Sequence, residues 1–301
     1  MRNEFINTLY KLAQKDKRIV LLTADLGFSV IEKFAKDFPD RFYNIGIAEQ
    51  NMIGVATGLA ESGFIPFCYS TAPFVLLRPY EFIKNGPVLH NLKVRIIGIG
   101  SGFQMDMGYT HYCLEDVALT RVFPNLKSFS PINNANTSDM LCKTYNLDGP
   151  IYYRTGKNAI SLSENIIKSY NEEGMETLHE NYENKTCVIA LGSSVEEGII
   201  ALNQVNKSIN LYSLTHINPS PEDKIKEILL KHKHVITLEA HYINGGIGSM
   251  ISEIIAQNQI NCKITRLAVS KQIEGKFGNN NFMHQKYNIS SEDIINCCLK
   301  K

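Results

Sequence analysis

Charge of one sign is what this sequence most lacks. Its 31 basic and 30 acidic residues leave a formal net charge of +1. That balance supplies no field for gathering nucleic acid or an anionic membrane surface. Long apolar runs are missing too. None reaches the roughly 20 residues that span a bilayer. The opening Met1-Arg2-Asn3-Glu4-Phe5 has no signal-peptide core. Cysteine is present but unpaired in its spacing: seven thiols, an odd number, without the close pairs of a metal site. Cys297 and Cys298 are neighbours in a C-terminal helical pattern. The expectation is a cytoplasmic protein with reduced thiols, no nucleic-acid partner and no membrane.

The 301 residues, 44% of them apolar, suffice for two ordinary domains. Residues 3–15 set Phe5, Ile6, Leu9, Leu12 and Ala13 on one side of a helix. Short apolar runs bounded by polar residues then recur at 18–25, 41–45, 64–69, 94–100, 126–131 and 149–156. Such runs suit parallel strands covered on both faces. Helical stretches at 29–38, stopped by Pro39, and at 135–146 fall between them. Residues 157–184 are polar and irregular, and strand-like runs resume at 187–191, 210–214 and 235–239. The expected fold is α/β: two consecutive domains, 1–165 and 185–301, each with a largely parallel sheet flanked by helices, joined by a linker at 166–184.

The chain is organised around Gly46-Ile47-Ala48-Glu49-Gln50-Asn51 and the helix that follows, where Gly54, Ala56, Gly58 and Ala60 leave little side chain. A backbone so bare can approach a neighbour closely, and an acid at its mouth sits where helix N–H groups favour negative charge. Glu49 is either that acid at work or a structural first-turn glutamate. Asp25 closes the first strand at the end where open α/β sheets bind ligands, or else caps the next segment. Phe74 is a stacking ring or a core residue. His111, on a glycine-punctuated loop after a central strand, is well placed for proton chemistry, although a lone histidine is more often structural. Arg154 suits a phosphate through its planar fork, or pairs with a buried carboxylate.

The run Gly-Ile-Ala-Glu-Gln-Asn-Met-Ile-Gly-Val-Ala-Thr-Gly-Leu-Ala, residues 46–60, resembles the core motif of the pyrimidine-binding domain of transketolase-type thiamine diphosphate enzymes. That family includes transketolases, 1-deoxyxylulose-5-phosphate synthases and the beta subunits of 2-oxo acid dehydrogenases. The resemblance continues through Thr23-Ala24-Asp25-Leu26, through 70–81 with Pro73-Phe74, Arg78 and Tyr80-Glu81, and through Gly108-Tyr109-Thr110-His111 with Glu115-Asp116. It runs on to Glu239-Ala240-His241, similar to the family's C-terminal domain. The resemblance implies that Glu49 hydrogen-bonds a ring nitrogen of the cofactor's aminopyrimidine and that Phe74 stacks on that ring. Asp25 and Ile47 lie near the cofactor, and His111 exchanges protons with substrate oxygens. By the same resemblance Arg154 grips an anionic substrate end. His241 either approaches the site or, the commoner case, has a structural role. Met107 stands where many sugar-phosphate enzymes of the family carry an acid that touches a substrate hydroxyl, and Asp106 is one residue out of register.

One family feature has no counterpart. The Gly-Asp-Gly motif and later Asn that hold the diphosphate through Mg2+ are missing; Leu147-Asp148-Gly149 has only part of the triplet. No residue of this chain is therefore assigned to a metal. The resemblance covers the last two domains of a three-domain enzyme. It implies one subunit of a split ketol transferase acting on sugars or sugar phosphates. A separate N-terminal, diphosphate-binding subunit would complete an alpha2beta2 heterotetramer and hold the Mg2+. The alternatives are a beta subunit of a 2-oxo acid dehydrogenase and a non-catalytic assembly paralogue.

Overall fold

The computed structural model describes residues 1–299, the side chain of Ser161 aside. Its first half alternates helices and strands: α1 (Arg2–Lys15), β1 (Ile19–Thr23), α2 (Glu32–Asp37), β2 (Phe42–Asn44), α3 (Glu49–Glu61), β3 (Ile65–Thr71), α4 (Ala72–Leu76), α5 (Tyr80–Ile83), β4 (Arg95–Ile99), α6 (Asp116–Arg121), β5 (Lys127–Phe129), α7 (Asn134–Thr144) and β6 (Ile151–Thr155). The strands pair in parallel in the order β5-β6-β4-β3-β1-β2. Every residue of β1, β3, β4 and β6 is buried. This explains their continuous apolar runs: both faces are covered, so neither needs polar residues. One face packs Phe5, Leu9 and Met140 from α1 and α7, the other Met52, Ile53, Ala56 and Val75 from α3 and α4.

The second half continues with β7 (Met175–His179), β8 (Thr186–Leu191), α8 (Val195–Gln204), β9 (Asn210–Leu214), β10 (His216–Asn218), α9 (Glu222–Lys231), β11 (His234–Tyr242), α10 (Ile247–Gln257), β12 (Lys263–Val269), α11 (Asn280–Lys286) and α12 (Ser291–Leu299). Its sheet runs β12-β11-β8-β9-β7, parallel except for β7. The expectation of two α/β layers with largely parallel sheets holds.

Two features depart from the sequence reading. The stretch 166–184 is not wholly a linker, because β7 lies inside it and pairs antiparallel with β9, Met175 opposite Leu214. Met175, Glu176 and Leu178 are buried, and Glu176 accepts bonds from Asn136 (2.8 Å) and the Asn171 backbone (2.8 Å). Polar composition hid a strand whose acid is satisfied by α7. The second feature is an exchange between domains. β10 leaves the second domain and adds antiparallel to β5, with His216 opposite Phe129. It covers an edge of the first sheet that would otherwise present unpaired backbone groups. The domains thus share a sheet, which limits their relative motion.

Candidate active site

The C-terminal ends of β1, β2, β3, β4 and β6 define one edge of the first sheet, and the loops after them carry the site. The loop from β2 to α3 is held by Asn44. Its Oδ1 accepts from the backbone N–H groups of Asp25 (3.0 Å) and Gly46 (3.0 Å), and its Nδ2 donates to Asp25 Oδ1 (3.3 Å). Asp25 and Gly46 both take positive φ, 53° and 73°. Asn44 thereby ties together the turns after β1 and β2, and fixes where α3 begins. Asp25 lies exposed at this edge and braces it. Ile47, two residues before α3, is 75% exposed.

Glu49 opens α3 and is only 3% exposed. Its carboxylate accepts from Arg78 Nη1 at 2.9 and 3.0 Å. The same guanidinium lies over the Phe74 ring, 3.9 Å from its centroid. Phe74 in turn meets the His111 ring edge-on, with centroids 5.1 Å apart. His111 Nδ1 is 3.0 Å from Thr110 Oγ1. Glu49, Phe74 and His111, separated by 25 and 37 positions in the chain, are thus brought together, and Arg78 joins them. The sequence alone assigns Arg78 no role, although it sits within the 70–81 segment. It stands four residues past Phe74, in the turn just beyond the end of α4.

Arg154 lies inside the sheet rather than at its edge. It is buried in β6, with Nε 3.0 Å from Asp116 Oδ2 and Nη2 donating to the Ala240 carbonyl at 3.2 Å. Tyr152 Oη also donates to Asp116 Oδ2 (3.1 Å). Burial works against the Arg154 charge, but Asp116, helped by Tyr152 and Cys113, holds the guanidinium above its usual range. Its pairing with a buried carboxylate is the contact observed, and in this position the side chain is only 2% exposed. Lys157, just past the end of β6, is the better placed cation. With Arg2 it lines a cavity of about 80 Å³ that Ser70 and Thr71 also line. The hydroxyls of Ser70 and Thr71 are buried and have no hydrogen-bond partner. Buried polar groups ordinarily have one, so two cations and two unsatisfied hydroxyls make a cavity suited to an anionic group.

Met107 lies on the loop between β4 and α6, 61% exposed. His241 is fully buried and reaches no solvent. Among the described residues, no group of three or more His, Cys, Asp or Glu is placed to hold a metal ion, and no helix is long and apolar enough to cross a membrane.

The fold and this edge define a transketolase-type arrangement, and comparison with known proteins agrees. Residues 1–161 match the transketolase pyrimidine binding domain, and residues 175–294 the transketolase C-terminal domain. The chain belongs to the transketolase family. It is 33% identical over 300 residues to a putative transketolase C-terminal section of Methanocaldococcus jannaschii, covering 98% of this chain and 93% of that one. It is 27% identical over 273 residues to one subunit of the apulose-4-phosphate transketolase of Actinobacillus succinogenes, covering 89% and 87%. A solved split-gene transketolase, an inactive beta4 tetramer, superposes with a TM-score of 0.88 at 28% identity, covering 99% of this chain and 97% of that one.

Proposed function

We propose that this chain is the pyrimidine-binding subunit of a split thiamine diphosphate-dependent transketolase, moving a two-carbon ketol unit between sugar or sugar-phosphate substrates. One observation carries the reading. A guanidinium is flat, donates through N–H and stacks on aromatic faces. Arg78 does both at once, against Glu49 and Phe74. These are the two contacts an aminopyrimidine would make there, so the donor set fits the cofactor. When bound, thiamine diphosphate supplies the electron sink for carbon–carbon cleavage, and the protein supplies orientation and electrostatics.

The chain's own residues then divide the work. Glu49 holds or shares a proton with the ring nitrogen, and Phe74 fixes the ring's plane. His111 exchanges a proton with substrate oxygens. Lys157 and Arg2 receive an anionic substrate end. Met107 offers a thioether where a hydroxyl-reading acid is common, so discrimination at that hydroxyl is weak. The exposed strip of α3 around Gly54, Val55 and Gly58, with Ile47 beside Glu49, suits close docking of the partner that would bind the diphosphate and its Mg2+. An alpha2beta2 assembly in the cytoplasm is consistent with this.

Arg78 must leave for the cofactor to enter. Arg78 itself is 44% exposed although Glu49 is buried, so with solvent screening the pair and the ring contact together are worth about 1 kcal/mol. Arg78→Ala should therefore tighten thiamine diphosphate binding by the assembled complex about fivefold, as measured by calorimetry. Weaker binding in the variant would mean that Arg78 grips the cofactor rather than standing in for it.

The anion cavity makes a second expectation. Lys157→Met should raise KM for a phosphorylated donor about tenfold, with kcat within a few-fold, because a charge-assisted bond contributes about 1.5–3 kcal/mol. Arg154→Lys should instead lower the melting temperature, because it loses the Nε contact with Asp116 and the Nη2 bond to the Ala240 carbonyl. A KM effect in Arg154→Lys alone, at unchanged stability, would restore Arg154 to the substrate.

A further inference from the structure

The loop carrying His111 belongs by sequence to the first domain, yet it is built onto the second. It leaves β4 at Ser101 and closes at its neck through paired backbone bonds between Gly102 and Cys113, 2.9 and 3.1 Å. Beyond that neck nearly every anchor comes from the C-terminal domain. Phe103 is fully buried and stacks on Tyr287, with centroids 5.5 Å apart and planes 16° apart. Tyr112 Oη donates to the Gly278 carbonyl at 3.2 Å. Tyr109 Oη donates to the Gly275 carbonyl, and its ring meets Phe277 edge-on at 5.9 Å. The Tyr242 N–H donates to the Leu114 carbonyl at 2.9 Å. Phe103, Tyr112 and Leu114 lie in one apolar cluster with Ala190, Val269, Met283 and Tyr287 of the second domain.

The C-terminal end of β11 is the centre of this contact. Gly102, at φ +68°, packs so closely on it that an added Cβ would lie 2.9 Å from Ala240 Cβ and 3.1 Å from its carbonyl oxygen. His241 comes next. Its Nδ1 is 2.5 Å from the Tyr242 carbonyl oxygen, and its Nε2 is 3.3 Å from the backbone nitrogen of Ala118. A carbonyl needs a donor and an N–H needs an acceptor. The ring therefore carries its proton on Nδ1 and accepts the Ala118 N–H at Nε2. Ala118 lies in the first turn of α6, where backbone N–H groups have no partner within the helix. His241 thus caps, from the other domain, the helix that ends the His111 loop.

We infer that the C-terminal domain positions the His111 loop, and that His241 is a positioning residue for the reaction. The inference rests on His111 serving catalysis. A wholly structural domain contact would not need to fall on both ends of this one loop. The second-domain anchors named above include no residue of α3 or α4, where Glu49 and Phe74 stand; Phe74 meets the loop through its ring contact with His111.

The experiment uses the complex assembled with its diphosphate-binding partner. His241→Leu removes the acceptor while keeping bulk, and His241→Gln restores one in its side-chain carbonyl. His241→Leu should speed hydrogen–deuterium exchange of residues 102–118 about tenfold. It should also lower kcat about tenfold, well inside the hundredfold that an ångström of misplacement can cost. Cofactor Kd should stay within about twofold, and His241→Gln should recover most of both losses. Unchanged exchange in the loop, or a loss of cofactor affinity equal to the loss of kcat, would overturn the inference. If His241→Leu does not assemble, Tyr112→Phe, which keeps the ring and loses only the Gly278 bond, carries the same readouts. His111→Ala separates the two readings. Full turnover in that variant would remove His111 from catalysis whatever the exchange data show, whereas exchange tests the positioning by itself.

Discussion

The purified chain, given thiamine diphosphate and magnesium without a partner, should turn over no ketose phosphate above background. In the proposed reading its residues address only one end of the cofactor. Glu49, Phe74 and His111 meet at the sheet edge, but a diphosphate needs a divalent cation held by hard oxygen ligands. The nearest sequence candidate, Asp148, is 87% exposed and paired with Lys93 at 3.0 Å. Lys93 and Lys127 hold its carboxyl below the usual range, so it is ionised and already taken up by Lys93. Among the described residues no group of acids or histidines gathers elsewhere to hold an ion. Calorimetry on the isolated chain should accordingly show cofactor binding weak or undetectable. Addition of a subunit carrying the metal motif should restore both binding and ketol transfer. Turnover by the chain alone would end the split-enzyme reading.

The fold was legible in the sequence because fully buried parallel strands leave continuous apolar runs. The runs at 18–25, 64–69, 94–100 and 149–156 became β1, β3, β4 and β6. Glu49, Phe74 and His111 were legible for a different reason. Each lies in a local motif, and the parallel sheet brings the ends of its strands to one edge. What was not legible depends on non-local partners. Arg154 and Lys157 lie three residues apart at the end of one strand, and both are cations. Only Asp116, contributed from α6, decides that the first turns inward. A strand buried throughout gives no alternation from which to read that choice. β7 escaped notice because Glu176 looks like a surface acid until Asn136 and Asn171 are seen to bond it. β10 carries no sign of which sheet it joins. The second domain's hold on the His111 loop was hidden likewise, since His241 reads as a structural histidine and its acceptor role requires Ala118, 123 positions away.

Glu49→Gln should cut kcat of the assembled complex by a factor of at least about 100, the lower end for loss of a positioned acid–base group. The substitution is nearly isosteric, so the tightly buried start of α3 should tolerate it. Glutamine still offers an oxygen to Arg78 and an amide to a ring nitrogen, but it cannot hold and release a proton. Binding and turnover should therefore separate. The Arg78 bond loses its charge assistance, and charge-assisted bonds are roughly twice as strong as neutral ones. Displacing Arg78 then becomes easier, which offsets part of the weaker contact to the cofactor. Cofactor Kd should change by less than about tenfold while kcat falls by far more. Combining Glu49→Gln with Arg78→Ala should add little to cofactor affinity beyond the single arginine variant, because both changes loosen the same pair. Turnover near that of the parent complex at saturating cofactor would remove Glu49 from the reaction. A fall in affinity that matched the fall in kcat would leave it as a binding residue alone.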